Sequence, residues 1–199
     1  MNNKTINYYN TNAKKFAENT AEIDFSSVQD RFLSYMPAGG RILDFGCGSG
    51  RDSKYFLSKG FGIDAVDGSE ELCGIASQYA GMNVKQMLFS ELEAVAVYDG
   101  IWACASILHL SKDELTDVFF KMCRALKDKG YIYTSFKYGI FEGYRNDRFF
   151  TDFTEDSFKE FLKEIPYVQI KESWISADIR QGRSDEKWLN LILQKSVPV

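Results

Sequence analysis

Apolar residues fall into two alternating patterns along this chain. Blocks at 41–45, 63–67 and 131–137 are short and rich in apolar residues, as buried strands require, and 83–87 is a candidate third strand. A longer block at 98–110 reads as a strand that leaves the core through small residues, Ala103 to Ser106. Between these blocks, at 52–59 and 112–127, apolar positions recur every three or four residues, the spacing of one helix face. Gly60 supplies a helix stop, and Ser69 before Glu70 supplies an N-cap for another helix. Two amphipathic helices are predicted ahead of the first strand, at 8–18 and 27–35, the first carrying Tyr8, Tyr9, Ala13 and Phe16. Strand and helix alternate through residue 137, which predicts a parallel sheet covered on both faces. A stretch rich in glycine and aromatic residues follows at 138–152. A helix at 154–163 then starts with Thr154 as its cap, and strands at 167–175 and 188–194 form a closing antiparallel pair, with Trp188, Leu189, Leu191 and Leu193 as core and sheet packing. One α/β domain over 1–199 is expected.

The block at 41–53 reads RILDFGCGSGRDS. Gly46, Gly48 and Gly50 make a turn between strand and helix, where missing side chains let backbone approach a ligand closely. A dinucleotide fingerprint needs its third glycine at position 51, yet Arg51 stands there and the glycine is at 50. Asp44 precedes the loop; it would repel a pyrophosphate but could orient a cationic ligand. Asp67 ends the second strand, where a carboxylate can accept two ribose hydroxyl hydrogen bonds. Its other reading is an acid that stabilises a helix N-terminus.

The pattern resembles motif I of class I S-adenosylmethionine (SAM) dependent methyltransferases, and the resemblance covers roughly residues 8–137. It implies a Rossmann-like seven-stranded sheet of order 3-2-1-4-5-7-6, with strand 7 antiparallel, and SAM as cofactor. It also implies a helical cap over 1–36 that brings Tyr9, Phe16 and Thr20 to the cofactor. The implied cofactor contacts continue through Asp44, Gly46, Cys47, Gly48, Gly50 and Arg51, then Asp67, Gly68, Ser69 and Leu72. Met87, Leu88 and Phe89 fall where the family lies against adenine, and Ala103, Cys104, Ala105 and His109 fall below the reaction centre. Two departures stand out. Leu88 and Phe89 occupy the place of an acid that often holds the adenine amino group, which leaves Glu91 as the nearest acid. In LKDKG, Asp128 and Lys129 replace the family's proline and glycine.

His109 is the chain's single histidine and has two readings, cofactor lining or proton acceptor. The stretch 138–152 lies where this fold adds substrate-specific surface, so Lys137, Tyr144, Arg145 and Arg148 are candidates for holding an anionic acceptor. The segment ACAS after the fourth strand argues against methylation of adenine or glutamine amino groups. The expected function is methyl transfer to a small-molecule acceptor. The rivals are a SAM-binding regulator without catalysis and a nicotinamide-dependent oxidoreductase.

Composition narrows the partners. With 45% hydrophobic and 26% charged residues the chain is globular in character, and a net charge of −4 speaks against a broad nucleic-acid footprint. The four cysteines form no CxxC pair, so neither a metal site nor a disulfide framework is expected, and a reducing cytoplasm fits. The polar start MNNKTINYYN lacks a secretory core, and no apolar run is long enough for a membrane span.

Overall fold

Strand β1 (Arg41–Phe45) is buried over its last four residues and pairs in parallel with β2 (Gly62–Asp67) on one side and β4 (Tyr98–Ala103) on the other. The computed structural model describes residues 3–180 and 182–196. Outward from this centre, β3 (Val84–Gln86) pairs with β2, and β5 (Leu126–Lys137) pairs with β4, all in parallel. β9 (Lys187–Lys195) runs antiparallel to β5, and β8 (Val168–Ala177) runs antiparallel to β9. The spatial order is β3-β2-β1-β4-β5-β9-β8. This is the expected 3-2-1-4-5-7-6 arrangement, with β9 as its antiparallel seventh strand.

Helices cover both faces. On one side α2 (Ser26–Leu33) and α3 (Arg51–Ser58) bring Phe32 and Phe56 onto Trp102 and Tyr133, whose rings stack at 4.0 Å. On the other side α5 (Lys112–Ala125) and α6 (Glu155–Leu162) pack Phe119, Phe158 and Phe161 against Phe136 and Phe153. The Ser111 hydroxyl accepts the Glu114 N–H while the Glu114 carboxylate accepts the Ser111 N–H, a reciprocal cap that fixes where α5 starts. Helix α4 (Glu70–Ala80) is capped by Ser69, whose Oγ accepts the Leu72 N–H at 3.2 Å. Helix α1 (Asn3–Glu18) lies against α4.

Two segments differ from the sequence-based expectation. The helix expected through residue 127 stops at Ala125, because Leu126 is already extended and pairs with Tyr98 before a shift of register. The left-handed Lys129 (φ +61°) then takes the place of the family's glycine. The stretch 138–152 contains an ordered hairpin: β6 (Glu142–Arg145) pairs with β7 (Arg148–Thr151) across Asn146 and Asp147, both at positive φ. No helix among the described residues is long and apolar enough to cross a membrane.

Candidate active site

A cavity of about 650 Å³ opens at the carboxyl ends of β1, β2, β4 and β5. Its size lies within the roughly 300–1,000 Å³ of small-molecule sites. Its floor is the glycine loop. Gly46 (φ +89°) passes so close to the turn after β4 that an added Cβ would sit 2.4 Å from Cβ of Ser106. At Gly48 (φ +55°) the cap residue Phe16 lies over the backbone, 3.0 Å from where a Cβ would be. The Gly46 and Cys47 N–H groups both donate to the Val66 carbonyl, which ties the loop to the end of β2.

Asp67 joins the two turns of the floor. Its Oδ2 accepts the Gly48 N–H and its Oδ1 accepts the Ser69 N–H, each at 2.9 Å. Burial pushes its pKa up, and the Ser69, Gly48 and Gly68 backbone donors pull the other way. A carboxylate has about four acceptor sites, so Asp67 can still accept a hydroxyl donor from the cavity it lines.

Helix α1 forms the roof. Tyr9, Phe16 and Thr20 line the cavity. The roof is held down by hydrogen bonds from the Ser69 hydroxyl to Asn10, from the Thr20 hydroxyl to Ser49, and from the Phe149 N–H to Thr5. The Tyr9 hydroxyl lies 2.8 Å from His109 Nε2, and His109 Nδ1 lies 2.6 Å from the Phe149 carbonyl oxygen. A carbonyl only accepts, so Nδ1 carries the proton and Nε2 accepts from Tyr9. Burial pushes the His109 pKa down to about 4, helped by the nearby Arg148 charge and opposed by the Phe149 hydrogen bond. The imidazole is therefore neutral at ordinary pH, with its Nε2 lone pair taken by the Tyr9 hydroxyl.

Of the residues singled out from sequence, Tyr9, Phe16, Thr20, Gly46, Cys47, Gly48, Arg51, Asp67, Gly68, Leu72, Phe89, Cys104, Ala105 and His109 line this cavity, as do Lys137, Arg145 and Arg148. Others stand behind it. Asp44 is buried beneath the loop and accepts the Ser53 hydroxyl at 2.5 Å; burial and the neighbouring Asp52 push its pKa up to about 8. Gly50 turns toward Ala76 of α4, Ser69 is spent on capping and on Asn10, and Ala103 is fully buried within β4. Met87 packs against the main core, and Leu88 donates its N–H to the Glu91 carboxylate, which gives that acid a capping role. Tyr144 is 45% exposed and faces Lys4 instead of the cavity.

The structure also alters the expected roles of two cations. Lys137 binds Asp178 at 3.3 Å and Glu186, over the ring of Trp188. Arg145 binds Asp152. Both charges are thus internally compensated. Asp178 and Glu186, in the connection between β8 and β9, and Trp188, at the start of β9, belong to a part of the wall that the sequence reading missed, with Trp188 lining the cavity where plain sheet packing was expected. The signal was available in the connection's length, since residues 178–186 far exceed the usual two to five of a hairpin loop.

A sheet of this order, with a glycine turn after β1 and an acid at the end of β2, defines the class I methyltransferase architecture. The comparisons agree: residues 42–130 match the family model described as a methyltransferase domain, and the chain is similar to the class I SAM-dependent methyltransferases. YqeM of Bacillus subtilis (strain 168), provisionally named a methyltransferase, is 26% identical; the match covers 72% of this chain, which spans 64% of YqeM. Among solved structures, the 1,6-didemethyltoxoflavin-N1-methyltransferase of Burkholderia thailandensis, bound to its acceptor and S-adenosylhomocysteine, superposes with a TM-score of 0.73 at 21% identity, over 96% of this chain and 85% of that one. Magnesium protoporphyrin IX methyltransferase of Synechocystis PCC 6803, with bound SAM, gives 0.71 at 17% identity over 98% of each.

Proposed function

We propose that this protein transfers the methyl group of SAM to a small-molecule acceptor within this cavity. The observation that carries the reading is Asp67, pinned by backbone donors from two turns on the wall of a cavity that Gly46 and Gly48 also line. That arrangement fits a nucleoside: ribose hydroxyls on Asp67, adenine beside Leu72 and Phe89, and the amino-acid end along Gly46 to Gly48. When bound, SAM supplies an activated methyl on a sulfonium, so the chemistry demands alignment more than strong acid or base catalysis. The residues contribute alignment in the following way. Phe16 and Tyr9 close the roof and exclude water, Ala105 and Ser106 leave room below the methyl, and His109 Nε2 can accept a proton from an acceptor that displaces the Tyr9 hydroxyl.

Calorimetry with SAM, S-adenosylhomocysteine and NAD tests the cofactor, and a homocysteine-release screen over small carboxylates, amines, thiols and tellurite tests turnover. Heat with the two adenosyl compounds and none with NAD is expected. Binding of NAD alone would overturn the reading. Tight S-adenosylhomocysteine binding without turnover on any acceptor would leave the regulator as the function.

A further inference from the structure

Three buried side-chain polar atoms among the described residues lack a hydrogen-bond partner, and two of them, Arg148 Nε and Asp152 Oδ1, belong to side chains on this cavity's wall. They come from β7 and the residue that follows it. Arg148 is the more informative. Its guanidinium lies 4.4 Å from the ring centre of Tyr8 and 5.2 Å from that of Phe150, and it hydrogen-bonds the Tyr9 hydroxyl, so neutral groups hold it. Among the described residues it makes no ion pair. The other cavity cations differ: Arg51, Lys137, Arg145, Arg180 and Arg183 each pair with a carboxylate, and Lys187 is exposed to water. A partly buried cation without a counter-charge is costly, and ring faces offset only a little of that cost. An anion supplied by a ligand completes it, and a planar guanidinium suits a carboxylate. Asp152 gives one oxygen to Arg145 and has the other unpartnered, a place for a ligand N–H or O–H.

We propose that the methyl acceptor is a small carboxylic acid that also carries an N–H or O–H group, with Arg148 holding its carboxylate and Asp152 its donor. The ring of Phe150 borders this site, 5.2 Å from the Arg148 guanidinium and 4.8 Å from the His109 imidazole. Naming this ligand the methyl acceptor rests on the methyl-transfer reading; the binding site itself does not.

The test compares anthranilate, salicylate and lactate with their respective amides by calorimetry on the whole protein, with and without S-adenosylhomocysteine. It also follows the Arg148 Nε–H resonance by ¹H–¹⁵N NMR, assigned by its loss in R148Q. The acids are expected to bind at least tenfold more tightly than the amides and to shift that resonance. R148Q should lose at least tenfold in affinity for the acids and less than twofold for the amides, while R124Q, on an exposed face of α5, changes neither. Should R148Q fail to fold, R148K and the wild-type resonance serve instead: R148K keeps the preference for acids. Acids and amides binding alike, no acid binding, or an unmoved resonance would each overturn the proposal. Acid preference without any S-adenosylhomocysteine heat would keep the Arg148 site and refute methyl transfer, whereas cofactor heat without acid preference would do the reverse.

Discussion

The floor and the far wall of the cavity are built by different physics. The floor uses backbone: glycine dihedrals, N–H groups of residues 48 and 69, and one carboxylate that links them. Its parts lie within about thirty residues and are carried by adjacent parallel strands, so they are fixed wherever the sheet is fixed. The far wall uses side chains from α1, β5, β7 and the β8–β9 connection, joined by ion pairs such as Lys137 with Asp178 and Arg145 with Asp152. A ligand common to many reactions suits the first kind of site, and one that changes between relatives suits the second, because side chains can be exchanged without disturbing the sheet.

The largest effect that would expose this contrast is expected at Gly46. An alanine there meets Ser106 at 2.4 Å and must adopt φ near +89°. Left-handed strain and overpacking together cost about 3 kcal/mol. Thermal unfolding of Gly46→Ala should show a melting temperature lower by roughly 6–12 °C, together with weakened S-adenosylhomocysteine binding. An unchanged melting temperature would mean that the floor is softer than its geometry says.

Asp67→Asn tests the floor without overpacking it. One oxygen becomes an amide that faces a backbone N–H, and a charge-assisted acceptor for ribose is lost. Hydrogen bonds to a charged group contribute about 1.5–3 kcal/mol, so S-adenosylhomocysteine affinity should fall roughly 10- to 100-fold by calorimetry. Acid binding at the far wall should stay within twofold. Equal losses at both ends would mean the two regions are one coupled site.

What could be read from the chain divides along the same line. Parallel strands announce themselves as apolar blocks, and Gly46, Gly48 and Asp67 stand at fixed spacing from them, so the sheet and the floor were legible. Asp44 looked like a wall residue because strand-end acids often are; only the Ser53 contact and its burial show that it lies a layer below. Lys137 and Arg145 looked like free cations, since a sequence does not reveal that Asp178 lies opposite the one and Asp152 opposite the other. Trp188 read as core because alternation along a strand shows two faces but not which one borders a cavity. Long-range side-chain pairing leaves no periodic trace, and the far wall consists of little else.

A smaller effect is expected for Lys137→Met. It removes a cation from Asp178 and Glu186, but Arg180 still binds Asp178 and keeps its pKa below the ordinary range against the upward push of burial. The loss should be about 1–2 kcal/mol in chemical denaturation, less than the 3–5 kcal/mol of stranding a buried charge outright. S-adenosylhomocysteine affinity should stay within twofold of the parent. A larger cofactor defect would show that the β8–β9 connection supports the floor as well as the wall.

The most specific effect, absent at neutral pH, concerns His109, which sits where the two regions meet. Its folded pKa of about 4 lies below the ordinary value of about 6.5, so between these values the unfolded chain binds the proton that the folded one refuses. Stability from this residue is therefore fully present above pH 6.5 and is lost as the pH falls toward 4. His109→Gln should flatten the stability curve in that window and leave its slope unchanged above pH 7. NMR of the imidazole should give a midpoint near 4, and turnover should show no inflection from this group between pH 5 and 8. A midpoint near 6.5 would mean that the Tyr9 and Phe149 contacts open in solution, and that the roof exchanges water freely instead of sealing the reaction space.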